Sequence, residues 1–281
     1  MQNRPGNCQL IFTFHRRALL LPFTSFAQPS VVASAAMETE WNQVKRRRGR
    51  LRNIPASIHG AADSLSDGIR PNPNPELSVD DLWKYHEAAA KDWQSIEWWG
   101  QLRQVLELAS DKPCRPVITK AVCLGPGPYE PSNGSVKARK TAHMQTAAFC
   151  YIVDHLKTMS GQEIKCVIQE PRFTQTDKDF CAKLGIDAVE SPAGFSLVDG
   201  NTLLFGIHME LDIYNQALAT LPAIYVGASL EEWEKVVHQG STADNPLAAY
   251  TTMDETYDKY PFPDLDYMFS STVMYWKKDE S

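Results

Sequence analysis

The run Ile118-Thr119-Lys120-Ala121-Val122-Cys123-Leu124-Gly125-Pro126-Gly127 constrains this chain more than any other stretch. A short apolar segment closed by Gly-x-Gly reads as a buried strand that hands the backbone to a tight turn. Strand-like and helix-like segments then alternate. A helix is expected over about 139–158, where Phe149, Ile152, Val153 and Leu156 fall at i, i+3, i+4 and i+7. Ile164–Ile168 is the second expected strand, closing on Gln169-Glu170-Pro171. Thr176, with Asp179 three residues on, is placed to cap the next helix, which Leu184-Gly185 ends. Ile186–Val189, Thr202–Ile207 and Ala223–Val226 follow as strands, with a helix over about 209–220 between the last two. Ser229 and Glu232 form a capping box for a helix running to His238.

Strands separated by helices imply parallel pairing with right-handed crossovers and helices on both faces of the sheet. The expected fold class is α/β, a Rossmann-like three-layer sandwich with a mainly parallel sheet of about five strands. Ahead of it a helical region is expected. Ser78 with Asp81 supplies its N-cap, and Leu82, Tyr85, Ala89, Trp93, Ile96, Leu102, Val105 and Leu106 recur at helical spacing, with a break at Gly100. Its tryptophans fit a helical layer packed against the rest better than an aromatic ligand box.

Charge is unevenly placed. Residues 1–52 carry nine Lys/Arg against two acids, a net of +7, so a chain of net charge −6 leaves −6 − 7 = −13 for the remainder. An acidic body behind a basic arm makes nucleic acid an unlikely ligand for the folded part, leaving protein partners of the basic arm or the acidic tail. Lys45-Arg46-Arg47-Arg48-Gly49-Arg50-Leu51-Arg52 is a cluster of nuclear-import type, equally readable as a solvated disordered arm. Residues 53–75, ending Pro71-Asn72-Pro73-Asn74-Pro75, are a linker. Three domain-level segments result: a basic arm and linker over 1–75, an α/β domain over 76–240, and an acidic, aromatic extension over 241–281. In that extension Tyr260-Pro261-Phe262-Pro263 is an extended kink, and Met268–Trp276 is a last strand or a strap.

Three readings of residues 1–37, which hold no acid, stay open: a mitochondrial presequence, a secretory signal, or an upstream extension of a body starting near Met37. The third is favoured because Met37-Glu38-Thr39-Glu40-Trp41 looks like a natural start, and the apolar patch broken by Pro22 disfavours the second. The expected location is cytoplasm or nucleus, or mitochondria if residues 1–36 are a presequence. No run of eighteen apolar residues predicts a membrane span. The six cysteines include no C-x-x-C pair and no zinc spacing, and buried thiols in a reducing compartment are expected.

In an open parallel sheet, ligands collect at the carboxyl ends of the strands, where the strand order switches. That rule selects Gly125, Gly127, Glu170, His208 and Gly227. Gly125-Pro126-Gly127 would let backbone amides approach a phosphate or carboxylate, or would be a tight turn and nothing more. The third glycine of the dinucleotide fingerprint is missing, since Pro128-Tyr129-Glu130 follows, which disfavours NAD. Glu170 sits where an acid holds ribose hydroxyls, or is a solvent-facing strand terminus. His208 is the candidate acid or base at this rim, or a histidine packed at a helix start. Arg139, opening the helix after the glycine loop, could reach an anion in the same crevice. Asp177 and Asp179 complement a helix dipole, and structure alone accounts for them. No P-loop, nucleophile elbow or H-E-x-x-H occurs; no metal site is expected, and the identity of any cofactor stays open.

Val122-Cys123-Leu124-Gly125-Pro126-Gly127, Ala138-Arg139 with Gln145, Gln169-Glu170-Pro171, Asp177, Leu184-Gly185, Leu204-Phe205-Gly206-Ile207-His208 and Gly227-Ala228-Ser229 stand in a telling order. Over about residues 78–238 the chain resembles the "sensitivity to red light reduced"-like (SRR1-like) domain, in its fungal branch. The family pattern has Asp-Pro at Gln169-Glu170-Pro171 and Met-Pro-His at Gly206-Ile207-His208, so the acid and the imidazole keep their places here. The resemblance implies a regulatory role. Plant members act in light signalling and circadian timing, and other members are linked to haem metabolism or the microtubule cytoskeleton. Three functions follow: a regulatory protein with a crevice for a small nucleotide-like ligand, a nucleotide- or S-adenosylmethionine-dependent transferase, or a pure interaction module. A deep polar pocket beneath Gly127 favours the first two, and a crevice filled by Tyr129 or by C-terminal aromatics favours the third.

Overall fold

The computed structural model describes residues 77–94, 97–112, 115–237, 245–265 and 267–278, with the side chains of 92–94 undescribed. The N-terminal leader, the basic cluster, the Pro/Asn linker, Cys8, Ile96, Cys114, the Trp93 side chain and His238 lie outside the described residues, and the helix expected to run to His238 ends at Glu234, with turn and bend residues from Lys235 to Val237.

Five strands form first: β1 (Lys120–Leu124), β2 (Lys165–Gln169), β3 (Asp187–Ala188), β4 (Thr202–Gly206) and β5 (Ile224–Ala228). They pair in parallel in the order β3-β2-β1-β4-β5. Residues 241–281 then extend the sheet rather than merely strapping it. β6 (Tyr257–Pro261), in the segment expected as a kink, and β7 (Thr272–Lys277) join at the β5 edge, antiparallel, giving seven strands where about five were expected. The burial pattern explains the difficulty. β6 buries only Tyr257 and Tyr260, three positions apart and on opposite faces, beside half-buried Asp258 and exposed Lys259 and Pro261, a weaker signal than the continuous apolar run of β1.

The helices are α1 (Val79–Gln94), α2 (Glu97–Ser110), α3 (Val136–Ser160), α4 (Gln175–Lys183), α5 (Leu211–Ala217), α6 (Leu230–Glu234) and α7 (Ala248–Thr256). Ser78 caps α1 as expected: its Oγ accepts from Asp81 N at 3.2 Å, and its N–H donates to Asp81 Oδ2 at 3.3 Å. The expected break at Gly100 falls earlier, because α2 begins at Glu97 and Gly100 lies inside it. The cap of α4 is Thr174 with Asp177, two residues before the expected Thr176 and Asp179. Both halves of that box are made, at 3.2 and 2.9 Å. Ser229 Oγ caps α6, accepting from Glu232 N at 3.4 Å, while the Glu232 side chain pairs with Lys235 at 2.6 Å.

Alternation along β1 divides the interior. Ala121 and Cys123 face a cluster built with Leu102, Leu106, Phe149, Ile152 and Phe180, from α2, α3 and α4. Val122 and Leu124 face the opposite cluster, with Tyr214, Ala217, Tyr250 and Met253 from α5 and α7. Helices therefore cover both faces, and α1 packs over α3 and α4. Each fully buried Phe or Leu in these layers contributes on the order of 1.5–3 kcal/mol. Cys123, Cys150, Cys166 and Cys181 are free thiols, and burial pushes Cys166 up to about 11 and Cys181 up to about 12. Among the described residues no helix is long and apolar enough to cross a membrane.

Register sets the carboxyl rim. Leu124 is aligned with Gln169 on one side and Gly206 on the other. Gly125, Glu170 and Ile207 therefore leave the sheet at one level, on three adjacent strands.

Candidate functional site

A cleft of about 480 Å³ opens at that level, between the turn after β1, the N-terminal half of α3, the loop after β2 and the residues following β4. Its size is that of a small-molecule site, roughly 300–1,000 Å³. Gly125, Gly127 and His208 line it. Of the expected site residues, those three face a common space.

The turn is built by φ rather than by donors. Gly125 and Gly127 have φ of 62° and 89°, a region other residues enter only with strain. Gly125 N–H donates to the Gln169 carbonyl at 2.9 Å, and Gly127 N–H donates to Glu170 Oε2 at 3.0 Å. Pro126 and Pro128 have no N–H to give. The expectation that this turn's amides approach a phosphate is therefore corrected: both glycine amides already have partners. What the glycines give the cleft is room, with Arg172 Nη2 lying 3.8 Å from where a Cβ of Gly127 would stand.

Glu170 is buried beneath the turn. Besides Gly127 N–H, it accepts from Arg172 N at 3.0 Å and Arg172 Nε at 2.9 Å, both on Oε1. A carboxylate holding three donors acts as a brace, and a ribose diol would have to compete with all of them. Its partner Arg172, half-exposed, lines the cleft and turns the pair's positive end toward it.

His208 has φ of 55°, and its Nε2 lies 2.9 Å from the Ser270 carbonyl, in the turn before β7. A carbonyl only accepts, so Nε2 is the donor in this contact and carries a proton. The C-terminal segment thus orients the one imidazole of the rim.

Two expected residues are elsewhere. Arg139 does not open α3, which begins at Val136. It lies a turn in, its guanidinium 4.9 Å from the centre of the Tyr85 ring on α1 and its Nε buried without a partner among the described residues. Gly227 is a packing glycine: an added Cβ would stand 2.3 Å from Tyr225 Oη and 2.8 Å from the Gly206 carbonyl.

Residues not foreseen complete the wall. Lys137, Thr141 and Gln145 line the cleft at i, i+4 and i+8 along α3. Ser135 caps that helix, accepting from Ala138 N at 3.2 Å. The periodicity of α3 held this signal once its start was known, whereas nothing local marked Arg172.

Tyr129, the residue that could have filled the crevice, instead anchors the loop. It is fully buried, shares a 2.8 Å hydrogen bond with Thr146, and packs on Phe173, Phe180 and His143. Asp177 lies beside it, raised to about 6 by burial against the opposing hydrogen bonds from Thr174 and the Tyr129 backbone. His86 and His143 share this aromatic layer with ring centres 5.7 Å apart. Burial lowers them to about 4 and about 3, with the charges of His86 and Arg139 adding to the effect at His143. Among the described residues no group of three or more His, Cys, Asp or Glu is placed to hold a metal ion.

The cleft can therefore hold an anion. Two cationic side chains and the amino end of a 25-residue helix face it, and one imidazole stands at its edge. The model of the SRR1 domain matches residues 101–276, which takes in the cleft and all seven strands but for the last residue of β7. No curated protein matches the chain.

Proposed function

The chain belongs to the SRR1 domain family, and from that premise we propose that it is a regulatory protein whose cleft binds a small, anionic, nucleotide-like ligand. The observation that carries this reading is an open polar cleft at the carboxyl ends of β1 and β4, lined by Arg172 and Lys137. The order β3-β2-β1-β4-β5 supports a Rossmann-like description, since doubly wound sheets bind nucleotides where β1 gives way to β4. The open cleft also favours a ligand site over a pure interaction module, because Tyr129 is withdrawn into the core.

Thermal-shift measurements on the full chain with nucleotides and adenosyl compounds test this. The reading expects at least one phosphorylated compound to raise the melting temperature of the wild type and to lose that effect in Arg172→Ala. If no compound moves the wild type, the cleft is not such a site.

A further inference from the structure

One side chain in the cleft has no task in the protein itself. Gln145 is 4% exposed and lines the inner part of the cleft. Its carboxamide has no hydrogen-bond partner among the described residues. Its helical neighbours differ: Thr141 donates to the Lys137 carbonyl at 3.0 Å and Thr146 to the Ala142 carbonyl at 2.9 Å. Its Oε1 and Nε2 are not among the fully buried unpaired atoms, so the amide is open to the cleft and presents a donor and an acceptor there. At this position leucine would keep a similar volume and helix propensity while removing both groups.

From the first helical residues to Gln145 is eight residues of α3, about 12 Å at 1.5 Å per residue. At the outer end lie Ser135, Lys137 and the unsatisfied N–H groups of the first turn, with Arg172 lining the same cleft. The wall is thus cationic at one end and offers a paired donor and acceptor at the other. A free phosphate would meet only the first. A nucleobase has the edge that a carboxamide reads, one donor beside one acceptor.

Resting on the reading of the cleft as a ligand site, we propose that Gln145 is its specificity-determining residue. The ligand is a nucleoside monophosphate whose phosphate sits at the amino end of α3, near Lys137 and Arg172, and whose base pairs with the Gln145 carboxamide. Glu170, occupied by Gly127 and Arg172, plays no part in holding the ribose.

The test uses the full chain, isothermal titration, and three probes: AMP, ribose 5-phosphate, which lacks the base, and adenosine, which lacks the phosphate. Gln145→Leu should weaken AMP roughly tenfold or more while leaving ribose 5-phosphate unchanged. Lys137→Ala should weaken AMP and ribose 5-phosphate together and leave adenosine unchanged. The ligand-free Gln145→Leu protein should melt no lower than the wild type, which a structural role for the amide would not allow. The proposal is overturned if Gln145→Leu binds AMP as the wild type does, weakens both phosphates equally, or melts several degrees lower. In those cases AMP binding by the wild type, lost in Arg172→Ala, keeps the broader reading standing. If none of the probes binds the wild type, this proposal falls, and the thermal-shift screen of nucleotides and adenosyl compounds decides the broader reading separately.

Discussion

Between α1, α3 and α4, on the cleft side of the sheet, both ring nitrogens of His143, together with His86 Nδ1, Arg139 Nε and Asp177 Oδ1, are buried without hydrogen-bond partners among the described residues. Across the sheet, at the same carboxyl rim, the tyrosines are all engaged. Tyr214 Oη donates to the Gly206 carbonyl at 2.8 Å, Tyr225 Oη to the Ala228 carbonyl at 3.2 Å, and Tyr275 Oη to Asp254 at 3.0 Å. Tyr250 lies 3.4 Å from Tyr225 Oη. Phenol groups have taken the strand-end carbonyls of β4 and β5, and their rings fill the space a ligand would need. Dry aromatic packing with satisfied hydroxyls gives rigidity and leaves no room at that rim, whereas the layer between α1, α3 and α4 keeps unpaired polar groups that cost stability and leaves the cleft beyond it open. The site is one-sided for that reason.

The harshest break in the comparison is on the far face. Tyr225→Ala should cost about 3–5 kcal/mol in denaturant unfolding, as large-to-small core changes do. It should leave the ligand-induced thermal shift of the surviving fold unchanged. A loss of that shift would mean the two faces are coupled.

Acid should act on the other face. Unfolded histidine titrates near 6.5, while His86 and His143 stay neutral in the fold down to about 4 and about 3. Below 6.5 the unfolded state takes protons the native state refuses, so stability falls with pH. Asp177 works against this. Its native value of about 6 exceeds the ordinary 3.8, so the native state takes up that proton first and regains stability as pH drops through 6. At ~1.4 kcal/mol per unit, the imidazoles lose roughly 2.5 kcal/mol each between about pH 7 and pH 4.5, and Asp177 returns roughly 2. A net loss of about 3 kcal/mol in urea unfolding is expected, with a shallower slope in His143→Phe. A flat wild-type profile would show that these imidazoles are not held neutral.

Glu170→Gln sharpens the contrast with Tyr225. Its stability cost should be smaller, about 1–3 kcal/mol, since one carboxylate loses charge-assisted bonds to Gly127 and Arg172. The ligand shift should nevertheless disappear because Arg172 is released. Gly127→Ala should be the mildest, about 1–2 kcal/mol from a left-handed φ that alanine resists. It leaves every donor in place, so equilibrium unfolding should change while the ligand shift survives in weakened form.

Much of this architecture was legible in the residues. The five parallel strands announce themselves as short apolar runs closed by Gly or Pro, and Ser78, Ser229 and Leu184-Gly185 mark helix ends by local chemistry. The rim residues Gly125, Glu170 and His208 follow from where strands end. Thr174 was missed because Thr176 offers the same spacing to an acid, with Asp179 in place of Asp177, and only burial of Asp177 decides between them. β6 was missed because its two buried residues, Tyr257 and Tyr260, are three positions apart and face opposite clusters, giving neither a continuous apolar run nor a period of two.

The chain's own pattern determined that a parallel sheet forms and where its strands stop, because hydrophobic period and turn stereochemistry are local properties. Which side chains meet in the cleft was decided by the tertiary structure. Successive residues of a helix point about 100° apart, so the start of α3 at Val136 turned Lys137, Thr141 and Gln145 inward and sent Arg139 to Tyr85. Likewise, Glu170 took the amide of Gly127 because a residue 43 positions away left that donor buried at its side. Hydrogen-bond satisfaction is settled between neighbours in space, and adjacency in the chain does not reveal them.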